Sequence, residues 1–94
     1  MHKGLLIRRA LDKWGAKKQL VMMIEECGEM IQATTKIMRK DQKEFEPSEN
    51  FIEELVDLSL MIDQFKLFIP AKKLDAMTQK KLAKLNSLLV KSDD

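Results

Sequence analysis

Turn-forming residues are scarce in this chain, and their scarcity constrains its fold more than any other feature. Three glycines and two prolines occur in 94 residues, and Gly28 is the only one of them within the stretch 17–39. A β-sandwich or barrel needs a turn about every 8–12 residues, so neither is favoured. The composition, 45% hydrophobic and 34% charged, is typical of amphipathic helices rather than of a disordered chain. The sequence therefore predicts an all-α fold.

Apolar periodicity and helix-boundary residues divide the chain into four segments. The predicted helices cover residues 3–13, 17–39, 48–66 and 71–90. Gly15 is expected to end the first helix, Ser48 to cap the third, and Pro70 to break the chain before the fourth. The charged stretch 40–46 is predicted to be a loop, and the tail 91–94 to fray. Because domains average roughly 100–200 residues, residues 1–94 make one domain, expected to be a small four-helix bundle.

The cysteine and histidine counts exclude several kinds of site. Cys27 is the only cysteine, so the chain has no internal disulfide and no cysteine-built zinc site. We expect Cys27 to be a small buried residue. His2 is the only histidine, which excludes histidine catalysis at an interior site. With a free cysteine, no signal peptide and no apolar run of about 18–20 residues, the expected location is the cytoplasm.

Charge is unevenly distributed along the chain. Residues 1–23 hold six basic and one acidic residue (net +5), residues 24–63 four basic and eleven acidic (net −7), and residues 64–94 seven basic and three acidic (net +4). A nucleic-acid-binding protein usually presents one dominant basic face, which this pattern does not predict. An acidic centre between basic flanks is better suited to binding an anion through a metal cation, because the acids can hold the cation and the basic residues can contact the anion.

The acidic centre places two carboxylates on each of two consecutive predicted helices. On a wheel of about 100° per residue, Glu26 lies in an apolar stripe and Glu29 lies one turn further at its edge. In the third helix Glu54 lies in the apolar stripe and Asp57 follows three residues later. The apolar neighbours of Glu26 and Glu54 three or four residues away are Met22, Met23, Met30, Phe51 and Leu58.

Carboxylates at positions suited to burial are costly unless they are paired or bound to metal. Like charges that face one space repel, and a hard divalent cation relieves that repulsion. A site with oxygen ligands only favours Mg²⁺ or Mn²⁺ over zinc or copper. Most single ExxE pairs on helices are solvated, so the residues alone leave a metal site and a solvated acidic surface both open.

The order of the acidic blocks resembles a known enzyme family. Glu25, Glu26 and Glu29 match an EExxE block, and Glu54 with Asp57 match an ExxD block after a spacer of 24 residues. Over about residues 14–66 the chain resembles the MazG-like all-α nucleoside triphosphate pyrophosphohydrolases, particularly their compact phage- and Firmicutes-type members. The fourth helix is similar to the family only loosely.

The resemblance implies a helical-bundle subunit that assembles as a dimer or tetramer. It also implies Mg²⁺-dependent hydrolysis of (d)NTPs to the monophosphate and pyrophosphate, with Mn²⁺ as a possible substitute. It carries the metal ligands over onto Glu26, Glu29, Glu54 and Asp57, the same four acids that the helical wheels select. It makes Glu25 a further catalytic acid that orients a water or supports a ligand.

Three lysines are candidates for contact with the substrate phosphates. Lys81 lies within the apolar stripe of the fourth helix, and Lys84 is the next candidate on that helix. Lys36 lies two turns beyond Glu29 in the second helix. Each also has a simpler interpretation, since a lysine on an apolar stripe can extend its amine into water along its long stem.

Three other residues are candidates for contact with the nucleoside. Trp14 and Gln19 match family-typical positions before the first acidic block, where a ring stacks on a base and an amide reads its edge. Ordinary core packing also explains Trp14. Asn50 either binds the sugar or a phosphate, or simply belongs to the first turn of the third helix.

A second class of function stays open beside the enzyme. The second helix carries apolar residues on more than one face, which favours self-association, most simply as a twofold-symmetric dimer. The alternative to the pyrophosphohydrolase is therefore a non-catalytic helical dimerisation or interaction module. Such a module needs no metal and no nucleotide.

Overall fold

The computed structural model describes residues 1–40 and 43–93, and these residues contain four helices and no strand. The helices are α1 (Lys3–Trp14), α2 (Ala16–Arg39), α3 (Glu49–Lys66) and α4 (Ala71–Asp93). The prediction of an all-α chain with four helices is confirmed. α4 continues to residue 93, so the tail predicted to fray from residue 91 is helical as far as it is described. Residues 41 and 42 of the predicted loop, and residue 94, lie outside the described part.

The helix ends have local chemical causes that were predicted from the sequence. Gly15 separates α1 from α2 with φ +82°, and its N–H donates to the Leu11 carbonyl at 2.8 Å. A left-handed φ suits glycine, which has no Cβ to clash. Ser48 caps α3, because its hydroxyl accepts the Phe51 N–H at 3.1 Å.

Helices α2 and α3 form the main packed pair, and α1 packs across both. Among the described side chains few are buried: Gln19, Ala33 and Ile37 in α2 and Gln64 in α3. Cys27 is exposed, so the prediction that it is buried is wrong. Cys27 lies about 100° from Glu26 around the axis of α2, so it is outside the face that packs on α3.

Helix α4 stands apart from this three-helix core. Among its side chains at 71–92, only Leu74 is partly buried, and α4 has no extensive packing with any other helix. The Cα radius of gyration is 16.9 Å, against about 12 Å for a compact domain of this length. A closed four-helix bundle therefore does not form within one chain. No helix in the described part of the chain combines the length and apolarity needed to cross a membrane.

Candidate metal centre

On α2, the acids lie along the side that packs against α3. Residues on this side recur every three or four positions, as they do where two helices pack side by side. They are Gln19, Met22, Glu26, Met30, Ala33 and Ile37. Ala33 and Ile37 are buried and Glu26 is half-buried. Glu29, at the edge of this side, is exposed.

The residues on the packing side of helix α3 recur with the same spacing. Its side facing the core contains Phe51, Glu54, Leu58, Met61 and Phe65, all half-buried. Asp57 is also half-buried and lies one turn after Glu54. Each helix thus replaces one apolar residue of its packing side with a glutamate, and the packing of α2 on α3 brings these glutamates face to face.

Three carboxylates meet between the two helices. Glu26, Glu29 and Glu54 each offer an oxygen, and these oxygens all lie within 4.8 Å of one another. Asp57 is not part of this close group, although its charge acts on both Glu26 and Glu54. Glu25 is exposed and also lies outside the group. The structure therefore brings together three of the four acids predicted as metal ligands and places the fourth nearby.

The crowding of carboxylates changes their proton affinity. Hydrogen bonding to the Glu29 carboxyl, partial burial, and the charges of Glu29, Glu26 and Asp57 raise the pKa of Glu54 from 4.5 to about 7. Burial raises the pKa of Glu26, and the charges of Glu29 and Asp57 raise it further. Without a cation, the cluster holds protons that isolated glutamates lose near pH 4.5.

The donor atoms suit a hard divalent cation. One oxygen of Glu26 and one of Glu54, Oε2 in each case, are buried and have no hydrogen-bond partner. Across residues 1–40 and 43–92, no lysine or arginine forms an ion pair with any of the three acids. Buried oxygens without partners, all from carboxylates, match the ligand preference of Mg²⁺ and Mn²⁺. The residues present therefore fit such an ion.

The lysines predicted to bind phosphate are not gathered at this cluster within one chain. Lys81 and Lys84 are exposed on α4, which does not pack along α2 or α3. Lys36 is exposed and lines a shallow groove on α2 with Ile31 and Arg39, away from the three acids. The sequence pattern of α4 could not show this, because an apolar stripe does not reveal which helix it packs against.

The residues predicted to contact the nucleoside divide into two groups. Trp14 is 48% exposed and Gln19 is buried, and both line a cleft beside α1. A groove that Trp14 and Gln19 share with Met22 and Met61 leads from this cleft along the α2–α3 side. Asn50 is exposed in the first turn of α3 and lines none of these surfaces.

Sequence reasoning missed Gln64, which the fold makes the most buried polar side chain of α3. It is 1% exposed, and its Nε2 donates to the Ile7 carbonyl of α1 at 3.0 Å. Its Oε1 is buried without a partner, and such an unsatisfied acceptor costs about 1–3 kcal/mol. The sequence did contain a signal for the burial of Gln64. This residue lies three positions after Met61 and seven after Asp57, and this spacing places it on the core side of α3.

No protein-family model, curated protein or solved structure matches this chain. The resemblance to the MazG-like enzymes therefore depends on the two acidic blocks and on Trp14 and Gln19 before them.

Proposed function

We propose that this protein is a cytoplasmic, Mg²⁺-dependent nucleoside triphosphate pyrophosphohydrolase, similar to the MazG-like enzymes. It converts a (d)NTP and water to the (d)NMP and pyrophosphate. The main support is the group of Glu26, Glu29 and Glu54, whose oxygens lie within 4.8 Å of one another across two packed helices. Two of these acids keep a buried oxygen without a partner. A carboxylate pattern of purely structural origin gives no reason for both features at once.

We assign the acidic residues separate roles in this reaction. Glu26, Glu29 and Glu54 would hold the cation, and Asp57 would complete the ligand set from the edge of the group. When bound, Mg²⁺ neutralises phosphate charge and lowers the pKa of a bound water. One carboxylate of the group accepts the proton of the attacking water as general base, and Glu25 orients that water from the rim. Water adds to a phosphorus, the anhydride bond breaks, and pyrophosphate leaves.

The test is hydrolysis by Glu54→Gln, assayed for pyrophosphate and orthophosphate separately with a panel of dNTPs and MgCl₂. Glutamine keeps the size of the side chain but removes a charged ligand. We expect pyrophosphate as the product of the wild type and a loss of at least about 100-fold in kcat/KM for the variant, the scale of a lost metal-centre group.

Glu53→Gln is the matched control. It removes the same charge from the neighbouring, exposed position on α3, and we expect nearly wild-type turnover. Hydrolysis that Glu54→Gln leaves intact, or that does not require a divalent cation, would contradict the metal-site assignment.

We propose further that the protein works as a homodimer or as a dimer of dimers. The accessible surface of one chain is 8090 Å², against about 5600 Å² for a folded monomer of 10.9 kDa. The excess of about 2500 Å² per chain amounts to about 5000 Å² for a pair, which lies at the upper end of the total area that permanent dimers bury. A second copy packed on α4 would cover its exposed leucines and place its lysines beside another chain.

One observation favours the alternative function, a non-catalytic helical interaction module. The exposed apolar side chains of α4 support a binding surface that needs no metal. One measurement distinguishes the two functions. If the protein is the enzyme, Mg²⁺ and a dNTP analogue should raise its melting temperature, because both bind the folded state; an interaction module should show no such change. If neither ligand changes the melting temperature, the interaction module is the better description.

A further inference from the structure

Exposed apolar residues of α2 and α3 lie on one common side of this helix pair. Gln19 near the start of α2 and Gln64 near the end of α3 line the same cleft, so the two helices run antiparallel. Seen from the N-terminus of each helix, the exposed apolar residues lie roughly a third of a turn clockwise from the side that packs on the other helix. In an antiparallel pair this rotation brings both sets to the same side.

This side, which we call the charge-free face, has the composition of an interface core. Between residues 20 and 38 of α2 and between residues 51 and 65 of α3, no acidic or basic residue falls on it, although 34% of the chain is charged. Depletion of charge distinguishes the core of a protein–protein interface from ordinary protein surface. The exposed residues of the face are Leu20, Ile24, Cys27, Ile31 and Met38 of α2 and Leu55, Ser59 and Ile62 of α3.

Neither of the other two helices covers the charge-free face. Helix α1 lies on the opposite side of the pair, where Trp14 lines one cleft with Leu60 and a second with Lys18. Helix α4 has no extensive packing with any other helix in the described part of the chain. Ile24 and Ile31 are therefore 72% and 66% exposed. Contiguous apolar surface of this kind marks a site of interaction.

Helix α4 supplies a second apolar surface of matching shape. Its apolar residues recur at helical spacing along one side, and they are Leu74, Met77, Leu82, Leu85, Leu88 and Leu89. If two copies exchange α4, each helix covers the charge-free face of the other copy, and one kind of contact buries both surfaces. A reciprocal exchange is closed by a twofold axis, so neither surface is left free for further addition.

Charge favours this exchange over the pairing of like surfaces. Residues 71–92 hold six lysines and one acidic residue (net +5), whereas residues 24–63, which include the charge-free face, have a net charge of −7. Two α4 helices side by side would bring together two strongly basic segments, and two charge-free faces would bring together two acidic ones. Only α4 against the charge-free face joins segments of opposite charge, the arrangement that interfaces favour.

We propose that α4 of one copy binds the charge-free face of a second copy, and that the exchange is reciprocal. Each half of the dimer is then a four-helix unit with α1, α2 and α3 from one chain and α4 from its partner. The inference rests on the homodimer of the proposed function and names the two surfaces that meet. It does not depend on the chemistry of the acid cluster.

The test measures molar mass by light scattering for two variants and their mixture. Ile31→Lys places a charge at the centre of the charge-free face, and Leu85→Glu places one on the apolar side of α4. Each variant alone should raise the dimer dissociation constant at least about tenfold, because a charge is then buried without a partner. An equimolar mixture should recover about twice the 10.9 kDa chain mass. In the mixed dimer one contact is native, and the other pairs a lysine with a glutamate.

Gln32→Lys and Ser87→Glu are the matched controls. They introduce the same charges at exposed positions next to the charge-free face and outside the apolar side of α4, and both should keep the wild-type mass. Leu55→Lys repeats the face variant from α3. It keeps the test usable if Ile31→Lys fails to fold.

Other arrangements give different masses. Pairing of two charge-free faces would leave Leu85→Glu dimeric, and pairing of two α4 helices would leave Ile31→Lys dimeric; either result overturns this inference while the proposed homodimer stands. A mixture that stays monomeric also excludes the exchange. A monomeric wild type overturns the homodimer as well. Masses as expected, in a protein that hydrolyses no dNTP, would overturn the proposed enzyme and support this inference.

Discussion

Glu54 shows how one residue acquires its properties from two levels of structure. Its place on the core side of α3 follows from helical spacing and was predicted from the sequence. Its raised pKa follows from Glu29, which belongs to another helix and which α2–α3 packing brings beside it. The first property is local, whereas the second exists only in the folded chain.

The pH dependence of stability should report this cluster directly. Glu54 has a folded pKa of about 7 against an ordinary value of 4.5, so the folded state binds more protons between these pH values. The contribution of Glu54 to the free energy of unfolding of the metal-free protein should therefore be greatest below about pH 4.5 and be lost as pH rises to about 7. Burial of Glu26 acts in the same direction. Thermal melts from pH 5 to pH 8 in EDTA measure the effect.

Glu54→Gln should melt at a higher temperature than the wild type at pH 8 and depend less on pH. Glu53→Gln serves as the control and should follow the wild-type profile. Added MgCl₂ should raise the wild-type melting temperature more at pH 8 than at pH 5, since protons compete for the same oxygens. A wild-type melting temperature that rises steadily from pH 5 to pH 8 in EDTA would contradict the crowding of these carboxylates.

At the scale of the elements, the α1–α2 joint depends on a single glycine. Gly15 adopts φ +82°, and it both ends α1 and precedes α2. Gly28 contrasts with it, because it lies inside α2, where an added Cβ would meet no atom within 4 Å. The two glycines therefore provide a matched pair with opposite expectations.

Gly15→Ala should destabilise the protein by about 1–3 kcal/mol, because Gly15 combines φ +82° with ψ 156°, a backbone conformation nearly restricted to glycine. Gly28→Ala should instead stabilise it by about 0.5–1 kcal/mol, since glycine is a poor helix former. Urea unfolding of both variants measures the two values. A loss of stability in Gly28→Ala would show that a contact outside the single chain, such as a second copy, uses that position.

Helix α4 is the element whose surface is least explained by one chain. Most of the stability of a helix in a protein comes from packing of its apolar face, and within one chain only Leu74 of α4 is partly buried. Its exposed leucines recur at helical spacing, and they are Leu82, Leu85, Leu88 and Leu89. A second copy that covers them would stabilise the helix and the assembly together.

Substitution on this stripe should dissociate the assembly. The double variant Leu85→Gln with Leu88→Gln removes two apolar contacts while keeping residues that favour helix. We expect light scattering to give about twice the 10.9 kDa chain mass, or a larger multiple of it, for the wild type and a single chain mass for the variant. Ser87→Gln places the same new residue outside the stripe and should leave the mass unchanged. A monomeric wild type at high concentration would rule out self-association.

At the scale of the whole molecule, the open shape limits what one chain can do alone. The three-helix core holds the acid cluster and the cleft beside α1, whereas the lysines of α4 lie outside it. A dimer that packs α4 of one copy near the acids of the other would supply positive charge where the phosphates bind. The stripe variant therefore also tests whether hydrolysis depends on assembly.

The sequence by itself determined the helices, their caps and the acids on their inner sides. These features depend on neighbours within a few residues, as Gly15, Ser48 and Glu54 illustrate. Only the tertiary structure decided that Glu29 and Glu54 meet, that Cys27 is exposed, and that Gln64 is buried. It also separated α4 from the core. The reason is that a helix with apolar residues on several sides does not specify its partner, since packing depends on residues far away in the chain.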